Sequence, residues 1–411
     1  MLALACAVAV GNVYFPQALI TPVASGFDVS TAAAAAIVTA TQLGYAAGIL
    51  LIVPLGDRLA ARPLILTLLG LVSASLLAAG AAPTLGLLVA ASALVGLTTV
   101  FAQVISTLAA GMVAADRRAR VAGTLLSGSI GGILLARTFG GVLGQHLGWR
   151  APYLVAAVGC AALATVLARA LPATAPRSRQ PYPALVVEPL RLLAAEPLLR
   201  RSALYQASTF AGFTAAWSGI AQLLSGPVYS FGADAVGFLA LVGVATMVVT
   251  PLAGRAVDRR GPDHINTMAL IGSVAATPLL AAASLGGTTG LAALVVATLQ
   301  IDVAMQCGMV ANVARFQAVR PEALNRMRSA YMTCAYMGGS GGSLLGTIAY
   351  TSAGWHAVAA LVALAPTPAL FLHLRRTAAR PAPRPAPSAA TCALTPSPSH
   401  PERPPRCEGA P

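Results

Sequence analysis

From Leu2 to Leu374 the chain is a series of long apolar runs separated by short polar ones. A helix that crosses the hydrocarbon core of a bilayer needs roughly 20 consecutive apolar residues, and it satisfies its own backbone hydrogen bonds there. The runs place spans at 2–24, 31–54, 63–82, 85–110, 121–143, 151–171, 203–229, 233–254, 265–285, 288–313, 328–351 and 355–374. Twelve spans within residues 1–375 leave about 31 residues for each span and its loop, enough for a full crossing. The low charge agrees: 9% of residues are charged, against roughly a quarter in soluble domains. The predicted fold is therefore an all-α polytopic membrane protein with 12 transmembrane helices. No basic segment precedes the apolar N-terminus, so it reads as the first span and not as a cleaved signal peptide.

A polar connector at 172–202, rich in Pro and Arg, divides the chain into a six-helix bundle at 1–171 and a second at 203–376. Within the connector, 184–199 reads as an amphipathic helix lying at the membrane interface. Beyond Arg376 the chain turns to Pro, Ala and Ser, which cannot bury enough surface to fold, so 377–411 is expected to be a disordered tail.

Orientation follows from the arginines. All 26 basic residues are Arg. With both termini in the cytoplasm, 24 of them fall in cytoplasmic loops, the connector or the tail; Arg150 alone lies outside and Arg137 alone lies within a span. Cytoplasmic loops carry the basic excess in inner-membrane proteins, and an odd number of spans would destroy the asymmetry. The same distribution rules out nucleic acid as the meaning of the +14 net charge, because the arginines are not gathered on one soluble face. An Arg-only, Ala-, Gly- and Pro-rich composition points to a GC-rich bacterial genome. The expected location is the bacterial inner membrane, with lipid around a monomeric chain.

Other chemistry is poorly supported. The six cysteines show no CxxC or Cys/His ligand spacing, so neither disulfides nor a metal nor any cofactor is expected. The histidines lie in loops, near span ends or in the tail, and no Ser/His/Asp grouping occurs, which argues against an enzyme. Without a single Lys there is no Gly-x-x-x-x-Gly-Lys phosphate loop. Energy for any vectorial work must come from an ion gradient or from the substrate's own gradient.

The two halves echo each other. The second-to-third loop carries Gly56, Asp57, Arg58 and Arg62; the eighth-to-ninth carries Gly254, Asp258, Arg259 and Gly261, and the two Asp residues are 201 apart. Span five has small residues at every fourth position (Gly128, Gly132, Ala136, Gly140, Gly144) and ends at Gly148-Trp149. Span eleven has Cys334, Gly338, Gly342 and Gly346 and ends at Gly354-Trp355, in register at an offset of 206. Such spacing puts the small residues on one helical stripe, where a neighbouring helix can approach closely. Two six-helix halves in one orientation, related by an axis along the membrane normal, form a known transporter plan.

The loop residues resemble the Gly-x-x-x-Asp-Arg-x-Gly-Arg-Arg motif of the major facilitator superfamily, matched in the second loop at Gly254, Asp258, Arg259 and Gly261. The first loop keeps Asp57, Arg58 and Arg62, with Val53 and Ala60 at the two Gly positions. Asn12-Val-Tyr14-Phe-Pro-Gln17, Gln42-Leu-Gly-Tyr45, Leu134-Leu-Ala-Arg137, Ile301-Asp302 and Arg328-Ser-Ala-Tyr331 resemble the bacterial drug:proton antiporters and efflux permeases of that superfamily. The resemblance covers about residues 10–375. It implies a major facilitator fold in two pseudo-symmetric halves, proton-coupled efflux of a small molecule by alternating access, and loops that gate. Two departures stand out. The span-five antiporter motif lacks its Pro, and Gln103 lies near the place of the span-four Arg.

Asp302 is the only carboxylate set within a span, and an ionisable group at membrane depth is a functional candidate by default. It is expected to bind the coupling proton, with Gln306 on the same helical face. Arg137 is the only embedded base, expected to pair with Asp302 across the halves or to attract an anionic substrate. Their repeat counterparts are Gly96 and Ser343, so neither charge is a product of symmetry. By family resemblance, Asn12, Tyr14, Gln17 and Gln103 in the first half, with Gln206, Phe210, Trp217 and Gln306 in the second, are expected to line the substrate cavity. Two other readings remain open at this point: a proton-coupled importer or facilitator of a small metabolite, and a transporter-like sensor without turnover.

Overall fold

The computed structural model describes residues 1–378 except 113, 115–117, 173–179, 318 and 321–322. The described residues are helical, with turns and no strand. Among the described residues, ten segments are long and apolar enough to cross a membrane. Nine are single spans: Leu2–Phe27, Thr31–Arg58, Ala61–Gly80, Leu85–Ala109, Gly123–Leu147, Arg150–Ala170, Ala233–Arg260, Pro262–Leu285 and Gly287–Gln317. The tenth, Leu324–Arg375, is two spans folded back at Gly354, whose φ is +73°. Span seven, Pro197–Ser225, completes the set of twelve. It is too polar to stand among the ten, and that polarity is tolerated because other helices wrap it. Ser202, Gln206, Thr209, Thr214, Ser218 and Gln222 are all buried against protein and not exposed to lipid.

Several boundaries differ from the sequence reading. Span seven starts at Pro197, inside the predicted connector, because Pro fits the first turn of a helix. The connector helix is Tyr182–Ala195. It bridges the two bundles: the Tyr182 hydroxyl donates to the Leu51 carbonyl at 2.7 Å, Glu188 pairs with Arg326, and the Glu196–Arg320 pair stands at 2.8 Å. The last helix runs to Ala378, past the predicted boundary at Arg376. The rest of the predicted tail lies outside the described residues.

The glycine stripes lie where two backbones meet. A Cβ on Gly128, Gly132 or Gly140 would stand 2.3, 2.3 or 2.6 Å from the carbonyl oxygen of Ala3, Ala7 or Phe15 on span one. A Cβ on Gly338, Gly342 or Gly346 would stand 2.3, 2.1 or 2.8 Å from the carbonyl oxygen of Ala207, Ala211 or Ala215 on span seven. At Gly144 the close neighbour is the Leu19 side chain, at 2.4 Å. Both Gly-Trp pairs turn the chain in the same way: Gly148 and Gly354 have φ of +83° and +73°, a region that favours glycine, and Trp149 and Trp355 are buried. A side-chain insertion at the stripe should therefore be costly. Gly342→Val should lower the unfolding temperature of the purified protein by an overpacking penalty of about 1–3 kcal/mol. Gly341→Val, with nothing within 4 Å of its Cβ, should leave it nearly unchanged. Equal effects in a thermal scan would contradict the close contact.

The two bundles meet along span five against span eight and span two against span eleven. Among the described residues, hydrogen bonds join them at mid-depth and toward the side away from the termini. Thr21 and Ser225 hydroxyls meet at 3.1 Å, Thr31 donates to Gln222 at 3.0 Å, and the Ala233 N–H donates to Gln145 at 3.0 Å. Deeper, Thr138 donates to the Gly237 carbonyl at 2.8 Å and Ser340 to the Thr39 carbonyl at 3.1 Å. On the termini side the bundles leave a cavity bordered by Pro54, Asp57, Thr107, Asn325 and Ser329, with Leu185 of the connector helix at its edge.

Candidate functional site

Asp302 is the central residue of its helix, fifteen residues from either end of Gly287–Gln317, and is 5% exposed. Arg137 lies within Gly123–Leu147 and is 0% exposed. The first belongs to the second bundle and the second to the first bundle. They do not touch as an ion pair. Trp217 of span seven links them: its indole N–H donates to Asp302 Oδ1 at 3.3 Å, and the Arg137 guanidinium lies over its ring at 3.9 Å. Tyr14 and Phe213 add ring faces at 5.3 and 5.5 Å from the guanidinium. Cation–ring attraction is strongest where water is excluded, up to about 2 kcal/mol per ring. Arg137 Nε also donates to Gln17 Oε1 at 2.8 Å.

The internal symmetry explains the position of this centre. Gly132 meets Ala7 and Gly338 meets Ala207, so the residues ten further on, Gln17 and Trp217, occupy matching places on spans one and seven. The two partners of Arg137 are thus equivalent positions of the two halves, filled by an amide in one and an indole in the other. The place equivalent to Arg137 holds Ser343, which meets the Ser218 hydroxyl at 2.8 Å. Near Asp302 the eighth span is broken by a 3-10 turn at Leu241–Val244. Gly243 in that turn lets the backbone approach: a Cβ there would be 2.7 Å from Asp302 Oδ2.

Around the charges runs an aromatic wall shared by both bundles. Tyr14 and Tyr336 hydroxyls meet at 3.3 Å, and Tyr45 packs edge-on to Tyr336 with centroids 4.5 Å apart. Phe210 stacks on Phe213 at 5.7 Å and meets Tyr336 edge-on at 5.2 Å. Gln103 donates to the Tyr45 hydroxyl at 3.3 Å. Gln42 is fully buried beside Gly339 at the bundle interface, and neither its amide N nor its O has a partner.

Two predicted cavity residues face elsewhere. Asn12 turns into the first bundle, where its amide donates to Thr99 at 3.3 Å and to Cys160 at 3.5 Å. Gln206 turns into the second, accepting from Tyr331 at 2.8 Å and Asn312 at 3.3 Å. Both are buried amides satisfied within a bundle, as burial requires. Gln306 lies one turn from Asp302 and donates to Thr250 at 3.3 Å. Phe213, Tyr336 and Gly243 did not stand out in the sequence, and Gln42 and Tyr45 stood out only within a family-like stretch, with no site role. The spacing of Phe210, Phe213 and Trp217 on one helical face was the available signal for the first.

The loop residues differ between the halves. Arg62 donates to the Ala168 carbonyl at 2.6 Å, Arg58 is exposed, and Asp57 is half-buried at the edge of the termini-side cavity, next to Gly56. Asp258 and Arg259 are exposed, one turn beyond Gly254. Gly261, with φ of +81°, makes the turn into the next helix. The acid engaged in this loop is Asp263, which lies 2.6 Å from Arg315 and 3.3 Å from Arg201. Arg315 is 8% exposed, and removing a partner from a buried pair costs about 3–5 kcal/mol. Asp263→Ala should therefore lower the thermal midpoint markedly, while Asp258→Ala should not. Equal midpoints for the two variants would contradict the assignment.

Twelve spans in two related bundles around a buried, charged, aromatic centre define a membrane transporter. The profile of the Major Facilitator Superfamily matches residues 1–342. The chain is 34% identical over 361 residues to the transporter YgaY of Escherichia coli (strain K12), covering 87% of this chain and 90% of that protein. It is 31% identical over 255 residues to the chloramphenicol resistance protein of Streptomyces lividans, covering 59% and 62%. Its fold is similar to the crystal structure of the nucleoside transporter NupG, with a TM-score of 0.67 at 14% identity over 91% of this chain and 99% of that one. The chain belongs to the Major Facilitator Superfamily. It is a multi-pass membrane transporter and not an enzyme.

Proposed function

We propose that the chain is a proton-coupled secondary transporter that moves a small organic molecule across the bacterial inner membrane by alternating access. The carrying observation is the Arg137–Trp217–Asp302 link. It joins a carboxyl that can exchange a proton to a cation on the opposite bundle, so a change of charge on Asp302 is felt where the halves meet. Rocking of the halves exposes this centre to either side in turn. The Arg asymmetry supports placing both termini in the cytoplasm, which makes the termini-side cavity an inward opening and the sealed face periplasmic. The loops at Asp57 and Asp258 act as gates, and a monomer suffices. Similarity to a chloramphenicol resistance protein supports export as the direction.

The test is flux in proteoliposomes under an imposed pH gradient, screened across a compound panel. At least one compound should move with the gradient and move less when the gradient is collapsed. Absence of gradient-dependent flux for every compound would contradict the reading. In the same assay Asp258→Ala should slow transport without reducing membrane insertion.

A further inference from the structure

Arg137 Nη2 and Gln17 Nε2 are both buried and have no hydrogen-bond partner, although the two side chains are joined through Nε and Oε1. A buried N–H without an acceptor costs about 1–3 kcal/mol. Two such donors on joined side chains, one of them cationic, are complementary to an anion. The Arg137 Nη2 donor suits an oxygen of a carboxylate or sulfonate, with Gln17 Nε2 on the joined side chain as a second donor. The rings of Tyr14, Phe213 and Trp217 surround the guanidinium, and Phe210 and Tyr336 extend the wall along the bundle interface. These rings are buried against one another here, and a planar apolar body would enter between them as the halves rock apart.

We infer that this site takes an organic anion with a flat apolar body, and that the anion binds together with a proton on Asp302. The inference rests on the proposed proton coupling and adds the substrate class. Its sign follows from the buried charges. The groups that act electrostatically on Asp302 and Arg137 are each other and Tyr14 on span one, with the Trp217 N–H facing Asp302 from span seven. While Asp302 is ionised, it balances Arg137 and a second anion would leave the buried centre net negative. Once Asp302 is protonated, Arg137 is unbalanced and the anion restores neutrality. By linkage, each ligand then strengthens the other. Proton and anion cross in the same direction, and export of such a substrate runs on its own outward gradient. An antiporter would require the opposite, mutual exclusion.

The test uses the purified full chain and naphthalene-2-sulfonate, which stays anionic throughout, with the uncharged naphthalene-2-sulfonamide as control, both read by calorimetric titration. The sulfonate should bind about tenfold or more tightly at pH about 5.5 than at about 8, a coupling of about 1.4 kcal/mol. The sulfonamide should bind weakly and without pH dependence. Asp302→Asn, a neutral near-isostere, should hold the low-pH affinity at both pH values, and Arg137→Gln should lose the preference for the sulfonate. Sulfonamide binding as tight as sulfonate, or sulfonate binding that weakens on acidification, would overturn the inference in wild-type protein, with no variant needed. Either result leaves proton coupling standing if gradient-driven flux of an uncharged compound is seen. Loss of all gradient-driven flux in proteoliposomes overturns the coupling itself.

Discussion

Proteoliposomes carrying Asp302→Asn should lose the response to an imposed pH gradient while still exchanging substrate between equal pools on the two sides. The substitution keeps the size of the side chain and an oxygen for the Trp217 N–H, so the local packing survives. What disappears is the titratable charge. The driven flux should fall by roughly tenfold or more, corresponding to ~1.4 kcal/mol or more of lost coupling. Exchange needs only the binding site and the rocking of the halves, and should persist within about threefold. The measurement is paired flux, driven and exchange, on the same preparation. A variant that kept full gradient dependence would place the proton elsewhere.

The second large effect belongs to Arg137. Arg137→Gln removes the cation from a fully buried place and leaves Asp302 without its balancing charge. The guanidinium also gives up its hydrogen bond to Gln17 and its place over the Trp217 ring, together a loss on the order of 2–3 kcal/mol. The expected result is a sharp loss of thermal stability in detergent together with loss of transport. Arg137→Lys should not restore transport, because an ammonium neither lies flat on the Trp217 ring nor keeps the planar fork toward Gln17. Adding Asp302→Asn to Arg137→Gln should recover part of the lost stability, since both charges are then gone. Thermal unfolding of the four proteins in the cycle measures the coupling. Strict additivity would mean that the two charges do not sense each other through Trp217.

The architecture was legible because a bilayer imposes a length on every span and a sign on every loop. Span seven was legible only as the remaining run between connector and loop. Its inward polar residues, Gln206, Thr214 and Gln222 among them, lower its hydropathy, and that same polarity reflects its central place. The small-residue stripes were visible as a period of four. Their partners were not, because Ala3, Ala7, Ala207 and Ala211 differ from their neighbours in no way a sequence shows. Asp302 and Arg137 stood out as the charges inside spans. The element that joins them did not, since an indole that bridges a cation and a carboxylate looks in sequence like any aromatic residue. Asn12 and Gln206 show the converse. A buried amide reads the same whether it faces a shared cavity or, as here, a threonine or a tyrosine of its own bundle. In the eighth-to-ninth loop the Asp-Arg pair at Asp258 drew attention away from Asp263, whose partners, Arg201 and Arg315, come from distant parts of the chain.

Proton coupling through the Trp217 link requires that the charge on Asp302 set how the two bundles sit against each other. Spin labels on the termini-side ends of spans four and ten, one in each bundle, report that separation by pulsed dipolar spectroscopy. The distance distribution of the wild-type chain should shift between pH about 8 and about 5.5, and Asp302→Asn should show the low-pH distribution at both. A distribution that ignores pH, or one that still responds in Asp302→Asn, would contradict the account.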